Sequence, residues 1–299
     1  MGDQILWFKE CSYQKKNLVG GKNASLGELY RLSQILCFNV VNGFAITTSF
    51  YEEFIEHNKL SSPIEKLLQQ VNVHNLEELQ KWSNEIKTLI TSGVFTEKQK
   101  MVISSFYSDL SELYNTTELS VAVRSSAIAE DLPTNSFAGQ QDTYLNVIGI
   151  DSLYKAVKQC FASLFNARAL SYRHSNNIEA SQVKISVGVQ KMVRSDLASS
   201  GVAFSLDTES GFKDIVLING SYGLGESVVQ GTVSPDEFLI FKPTLKDGFS
   251  SIIEKKMGKK DTKIICEFNK PQLAITPGQS IVFYNDNHRL LGGGIIEYE

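Results

Sequence analysis

The chain has 299 residues, 42% hydrophobic and 21% charged, a balance that supports a packed core and excludes disorder as the starting assumption. Its formal charge of -4, with Lys and Arg spread along the chain, leaves no electrostatic footprint for nucleic acid or an anionic membrane. The opening MGDQILWFKE lacks the apolar core of a secretory signal, and no apolar run approaches membrane-spanning length, so no membrane association and a cytoplasmic location are expected.

The first element is predicted between Lys22 and Leu36. Leu26, Leu29, Leu32 and Ile35 recur at three-residue steps, the pattern of a helix with one buried apolar face. The segment Val19 to Glu28, VGGKNASLGE, puts two glycines before this helix and Lys22 at its start, a place suited to a phosphate. The GxxxxGK[ST] spacing of a P-loop is absent, and the same residues would also serve as a plain glycine turn ahead of a surface helix.

From Ser49 to about Tyr114, charged and apolar residues alternate at helical spacing, which predicts a helical layer. Ser120 to Arg124 (SVAVR) then reads as a strand and Asp142 to Val147 (DTYLNV) as its hairpin-like partner. The segment between them, within VRSSAIAEDLPTNSFAGQQ, is longer than most structureless connections and is rich in donors. Arg124 offers a planar fork for phosphate oxygens, with Ser125, Ser126, Ser136 and the backbone near Gly139 as further donors. A solvated connector with Arg124 paired to Glu130 or Asp131 is the competing reading.

Leu153 to Phe165 is predicted as a helix burying Leu153, Val157, Cys160, Phe161 and Leu164. Strands follow at KISVGVQKMV, GVAFSLD, DIVLING and DEFLIFK, and the order of elements points to an α+β, mixed α/β architecture. The first of these strands loses its alternation at Gln190 and Lys191. A strand leaving the core there can offer backbone groups to an adenine edge with Met192 against the ring, although such a Met also serves simple packing. YGLGE (Tyr222 to Glu226) and SPDE (Ser234 to Glu237) read as turn chemistry.

The cysteines, Cys11, Cys37, Cys160 and Cys266, show no metal-ligand spacing and are expected to be reduced packing thiols. His57, His74, His174 and His288 lie in polar contexts without a catalytic partner.

The runs LVGGKNASLGEL, NGFAITT and VAVRSSAIAEDLPTNSFAGQQDTYLNV, in this order, resemble the family of pyruvate phosphate dikinases and phosphoenolpyruvate synthases. SVGVQKMVRSDLASSGVAFSLDTESGF and SYGLGESVVQGTVSPDEFLIFKPTL are more similar to the synthases, and the likeness runs from about Trp7 to Lys260. It implies an ATP-grasp nucleotide-binding domain that passes a pyrophosphoryl group from ATP to a histidine on a separate domain, while a third, barrel domain phosphorylates pyruvate. Position by position, it implies that Lys22 and Arg124 contact the ATP phosphates and stabilise the transferred charge. Gly139 and Thr143 would shape the phosphate loop, and Gln190 and Met192 would stand at the adenine hinge. Val41 departs from the family pattern, which usually has proline before the NGF turn.

Beyond Met257 to Lys260 the resemblance is expected to stop, so the family's Mg2+ ligands and its phosphohistidine and pyruvate-binding domains are expected to be missing from this chain. The end, CEFNKPQLAITPGQSIVFYNDNHRLLGGGIIEYE, resembles instead the C-terminus of tRNA-specific 2-thiouridylases. The expected organisation is a nucleotide-binding domain over 1-262 and a β tail over 263-299, with Glu297 and Glu299 read as exposed terminal carboxylates. Three functions compete: an ATP-binding phosphotransferase domain, a non-catalytic truncated or fused remnant with partial ATP binding, and a tRNA 2-thiouridylase-related protein.

Overall fold

A computed structural model describes residues 4-71, 73, 75-128, 142-175, 183-245, 249-258, 280-284 and 290-295. The chain divides into two compact units, Met1–Val193 and Arg194–Glu299.

The first unit runs β1 (Ile5–Trp7), α1 (Lys16–Ser33), β2 (Gly43–Ile46), α2 (Thr48–His57), α3 (Ser61–Leu68), α4 (Leu76–Ser92), α5 (Glu97–Leu113), β3 (Val121–Ala127), β4 (Thr143–Val147), α6 (Ile150–Ser163), α7 (Ala167–Ser175) and β5 (Ile185–Lys191). Its sheet has the order β1-β2-β5-β3-β4, and every neighbouring pair is antiparallel. β5 lies in the middle, with Val187 opposite Ile46 on one side and Ser125 on the other.

Alternation along these strands makes two unlike faces. Phe44, Ile46, Val121, Val123, Ile185, Val187 and Val189 point into the helical layer and are fully buried. The opposite face carries Ala45, Ala122, Arg124, Ser126, Ser186, Gly188 and Gln190, and receives α1. The main core is built on the apolar face, where Phe50 and Phe54 of α2 meet Phe95 and Phe161 of α6, their ring centroids 5.2 to 6.5 Å apart. All five residues predicted for the buried face of α6 are in this core. Three of the helices, α2, α4 and α5, begin where a side chain accepts from their first N–H groups. Thr47 accepts from Phe50 N in α2, Asn75 accepts from Glu77 N and Glu78 N in α4, and Thr96 with Gln99 forms a capping box in α5.

The helical layer, the β3/β4 hairpin pair and the later strands form as the sequence leads one to expect. The buried face of α1 does not. Leu29, Leu32 and Ile35 are 44%, 45% and 80% exposed, and the face turned inward holds Val19, Gly20, Gly21, Asn23, Ala24 and Gly27. Three-residue steps fall short of a full turn by about 60° each, so the leucines wind around the helix and cannot share one seam. The helix also ends at Ser33, before Ile35.

In the second unit, β6 (Ser199–Phe204), β7 (Ile215–Tyr222), β8 (Asp236–Phe241) and β9 (Ile252–Lys256) form an antiparallel sheet in chain order, and β10 (Ser280–Tyr284) pairs with β11 (Leu290–Ile295). Two one-turn helices, α8 (Glu226–Val229) and α9 (Lys242–Leu245), flank β8 in sequence. The architecture is the expected mixed α/β class. No described helix is long and apolar enough to cross a membrane.

Removing the ring at the centre of the aromatic cluster leaves a cavity that the surrounding helices cannot fill. Phe161→Ala is expected to lower the unfolding free energy by about 3 to 5 kcal/mol, and Leu32→Ala to change it by less than about 0.5 kcal/mol, measured by urea denaturation. A large loss at Leu32 would contradict the burial pattern of α1.

Candidate functional site

α1 is two helices joined at a break. Gly20 has φ 72° and ψ 164°, a conformation that side chains other than hydrogen rarely tolerate. It also lies directly on β3, where an added Cβ would stand 2.3 Å from Ser126 Oγ and 2.4 Å from Ser126 O. The helix resumes immediately afterwards, which places Lys22, an exposed residue, in its first turn beside the sheet. Lys22 Nζ donates to the carbonyl of Ser125 at 3.5 Å.

That carbonyl belongs to the residue following Arg124. Arg124 is the one exposed position of β3 and pairs with Thr143 on β4 and Gly188 on β5. Thr143 is exposed as well. Directly opposed residues project to the same side of a sheet, so Arg124 and Thr143 share the face over which α1 lies. Lys22, Arg124 and Thr143 thus converge on one edge of the first unit.

Gln190 lies two residues along β5 from Gly188, on the same face and opposite Ala122. Its Nε2 donates to Val41 O at 3.2 Å, which ties β5 to the turn before β2. Met192 follows β5, and its N–H donates to Ser120 O at 2.9 Å. Lys191 Nζ stands 4.8 Å from the centre of the Tyr114 ring. Gly139, Ser136, Glu130 and Asp131 lie outside the described residues.

The base of this edge is polar and well held. Ser125 N and Ser125 Oγ both donate to Asp142 O, at 3.4 and 3.2 Å. The Asp142 carboxylate accepts from Tyr144 OH at 3.2 Å and from Asn166 Nδ2 at 3.4 Å. Burial and then the Asp142 charge push the Tyr144 hydroxyl above its ordinary range. Cys160 is also pushed up, by burial first and Asp142 second, with Lys22 opposing. Ser126 Oγ is fully buried with no hydrogen-bond partner among the described residues.

An ammonium, a guanidinium and a hydroxyl form a donor set for an anion with several oxygens. Among the described residues, no three His, Cys, Asp or Glu side chains gather where they could share a metal ion. Asn23, Ser186 and Gly188 were not singled out from sequence. A glycine inside the alternating run ISVGV was the available signal, since it marks close approach of another backbone or side chain.

Comparison with known proteins finds likeness over most of the chain. Residues 16–279 match the AMP/ATP-binding domain of pyruvate phosphate dikinase. The chain is 50% identical over 261 residues to a phosphoenolpyruvate synthase of Aquifex aeolicus, an alignment that covers 87% of this chain and 30% of that protein. It is 47% identical over 273 residues to the synthase of Synechocystis sp. (90% and 33% covered) and 44% identical over 261 residues to that of Escherichia coli (87% and 33%). The chain therefore spans about a third of the length of the curated relatives it matches.

A methyl group at the α1 break meets both a forbidden dihedral and the β3 backbone, so Gly20→Ala is expected to cost at least about 2 kcal/mol in urea denaturation. A neutral substitution would show that α1 does not rest on Ser126. Thiol chemistry gives a second check. Cys11 is pushed up to about 12 by burial, and Cys11 and Cys160 are buried while Cys37 is exposed. At about pH 8 iodoacetamide should modify Cys37 and spare Cys11 and Cys160 until denaturant is added, as read by peptide mapping.

Proposed function

The chain belongs to the pyruvate phosphate dikinase AMP/ATP-binding family, and on that premise we propose that it binds ATP with the triphosphate over the α1 face of its five-stranded sheet, as the nucleotide-binding part of a phosphoenolpyruvate synthase. In this role it hands a pyrophosphoryl group from ATP to a histidine of a separate domain, for the phosphorylation of pyruvate. The bond between the β-phosphorus and its oxygen to the α-phosphate breaks, and AMP leaves. A cytoplasmic setting accords with this reading.

The observation that carries the proposal is the approach of Lys22 to the strand that bears Arg124: the Lys22 ammonium reaches the carbonyl next to Arg124 from a helix on the same side of the sheet. Two cations from different elements converge where a triphosphate would need them. Both hold the transferred group and offset the charge that develops on its oxygens as the bond breaks.

Thr143 completes the phosphate end of the proposed site. Gln190 and Met192 take the adenine end. From Gly188, beside Arg124, to Met192 the chain advances about 13 Å at about 3.3 Å per residue, so the proposed phosphate and adenine ends are set apart along β5. The Met192 N–H is held by Ser120, so contact with the base falls to its side chain and to neighbouring groups. Magnesium brought in with the nucleotide would supply further charge compensation, and among the described residues no cluster of His, Cys, Asp or Glu fits it.

Titration calorimetry with ATP tests the assignment. Lys22→Ala and Arg124→Ala are each expected to weaken binding by about ten- to a hundredfold, the loss of one charge-assisted contact, with unfolding midpoints near wild type because both residues are exposed. Equal heats from all three proteins would overturn the proposed site.

A further inference from the structure

We infer that Asn23 is a positioning residue for phosphate recognition: its buried amide ties the second half of α1 to β5 and thereby sets where Lys22 stands. The inference rests on the ATP reading above and adds to it a residue that touches no ligand.

Asn23 is 2% exposed, on the inward face of α1. Its Nδ2 donates to Ser186 Oγ at 3.0 Å and to Val19 O at 2.9 Å. Ser186, itself fully buried, donates in turn to Ile46 O at 2.7 Å. One continuous chain of hydrogen bonds therefore links α1, β5 and β2. Gly188 makes room for it, since a Cβ there would stand 2.3 Å from Asn23 Oδ1.

Two features go beyond ordinary helix-to-sheet packing. A buried amide is costly unless bonded, and an alanine, as at Ala24, would pack such a seam without that cost. The Val19 bond also crosses the break at Gly20. Glycine dihedrals are soft, so an unbraced break would let the second helix pivot about Gly20 and carry Lys22 with it. Lys22 is one residue before Asn23, about 100° around the helix. With Asn23 locked into the sheet, Lys22 is directed along its surface toward β3, where its ammonium meets Ser125 O.

The test compares ATP with adenosine on the full chain. Asn23→Ala should weaken ATP binding by about three- to tenfold in calorimetry while adenosine affinity, followed by NMR titration, changes by less than about twofold. Asn23→Ala combined with Gly188→Ala refills the emptied volume from the other side; its unfolding temperature should return toward wild type while ATP affinity stays low. Ser186→Ala, which removes the acceptor and leaves Asn23 in place, should weaken ATP in the same direction with adenosine unchanged, and it serves if Asn23→Ala does not fold. Equal losses for ATP and adenosine, or recovery of ATP binding together with stability in the double variant, would reduce Asn23 to a packing residue. Lys22→Ala separates the two failures: ATP binding unaffected by it ends the ATP reading, whereas ATP binding weakened by it but not by Asn23→Ala ends this inference alone.

Discussion

The seating of α1 on the glycine- and serine-bearing face of the central strands is the contact on which the remaining features depend. Gly20 on the helix and Gly188 on β5 remove the side chains that would otherwise hold helix and sheet apart; a Cβ at either would stand 2.3 Å from its neighbour across the contact, and Gly27 makes similar room against Cys11. Close approach brings the resumed helix start down to the strand that carries Arg124. Without it, Lys22 would be a solvated lysine on a distant helix, and Arg124 an isolated guanidinium.

One alternation of residues does two jobs. Along β3 and β5 the odd-numbered positions Val121, Val123, Ile185, Val187 and Val189 are fully buried in the core. The even-numbered positions Arg124, Ser126, Ser186 and Gly188 lie on the side turned to α1. Burial of the first set supplies the rigidity that holds the second set in register, and β5, paired on both edges, cannot slip without turning its valines outward. Next to β3, the Asp142 carboxylate is held by Tyr144 and Asn166, and burial raises the Tyr144 hydroxyl and the Cys160 thiol above their ordinary ranges.

Much of this was legible in the residues. The α6 face was readable because Leu153, Val157, Cys160, Phe161 and Leu164 follow helical spacing closely and belong to a helix whose partner is the main core. The leucines of α1 misled because that helix meets the sheet through small residues, and hydrophobic periodicity registers large side chains only. β1 and β2 are three and four residues long, too short to display alternation, and are held in place by pairing that sequence spacing does not reveal. Lys22 and Arg124 were found as separate segments; what brings them to one face is the β3–β5 register and the Gly20 break. The bonds of Asn23 cannot be read from its position, since a polar residue in the second turn of an amphipathic helix is ordinarily solvated. The loop that includes Gly139 lies outside the described residues.

The most direct measurement is a crystal structure of the chain with a non-hydrolysable ATP analogue. The account predicts triphosphate oxygens within about 3 Å of both Lys22 Nζ and the Arg124 guanidinium, with the base toward Gln190 and Met192. A nucleotide bound elsewhere, or one whose phosphates meet neither side chain, would contradict it.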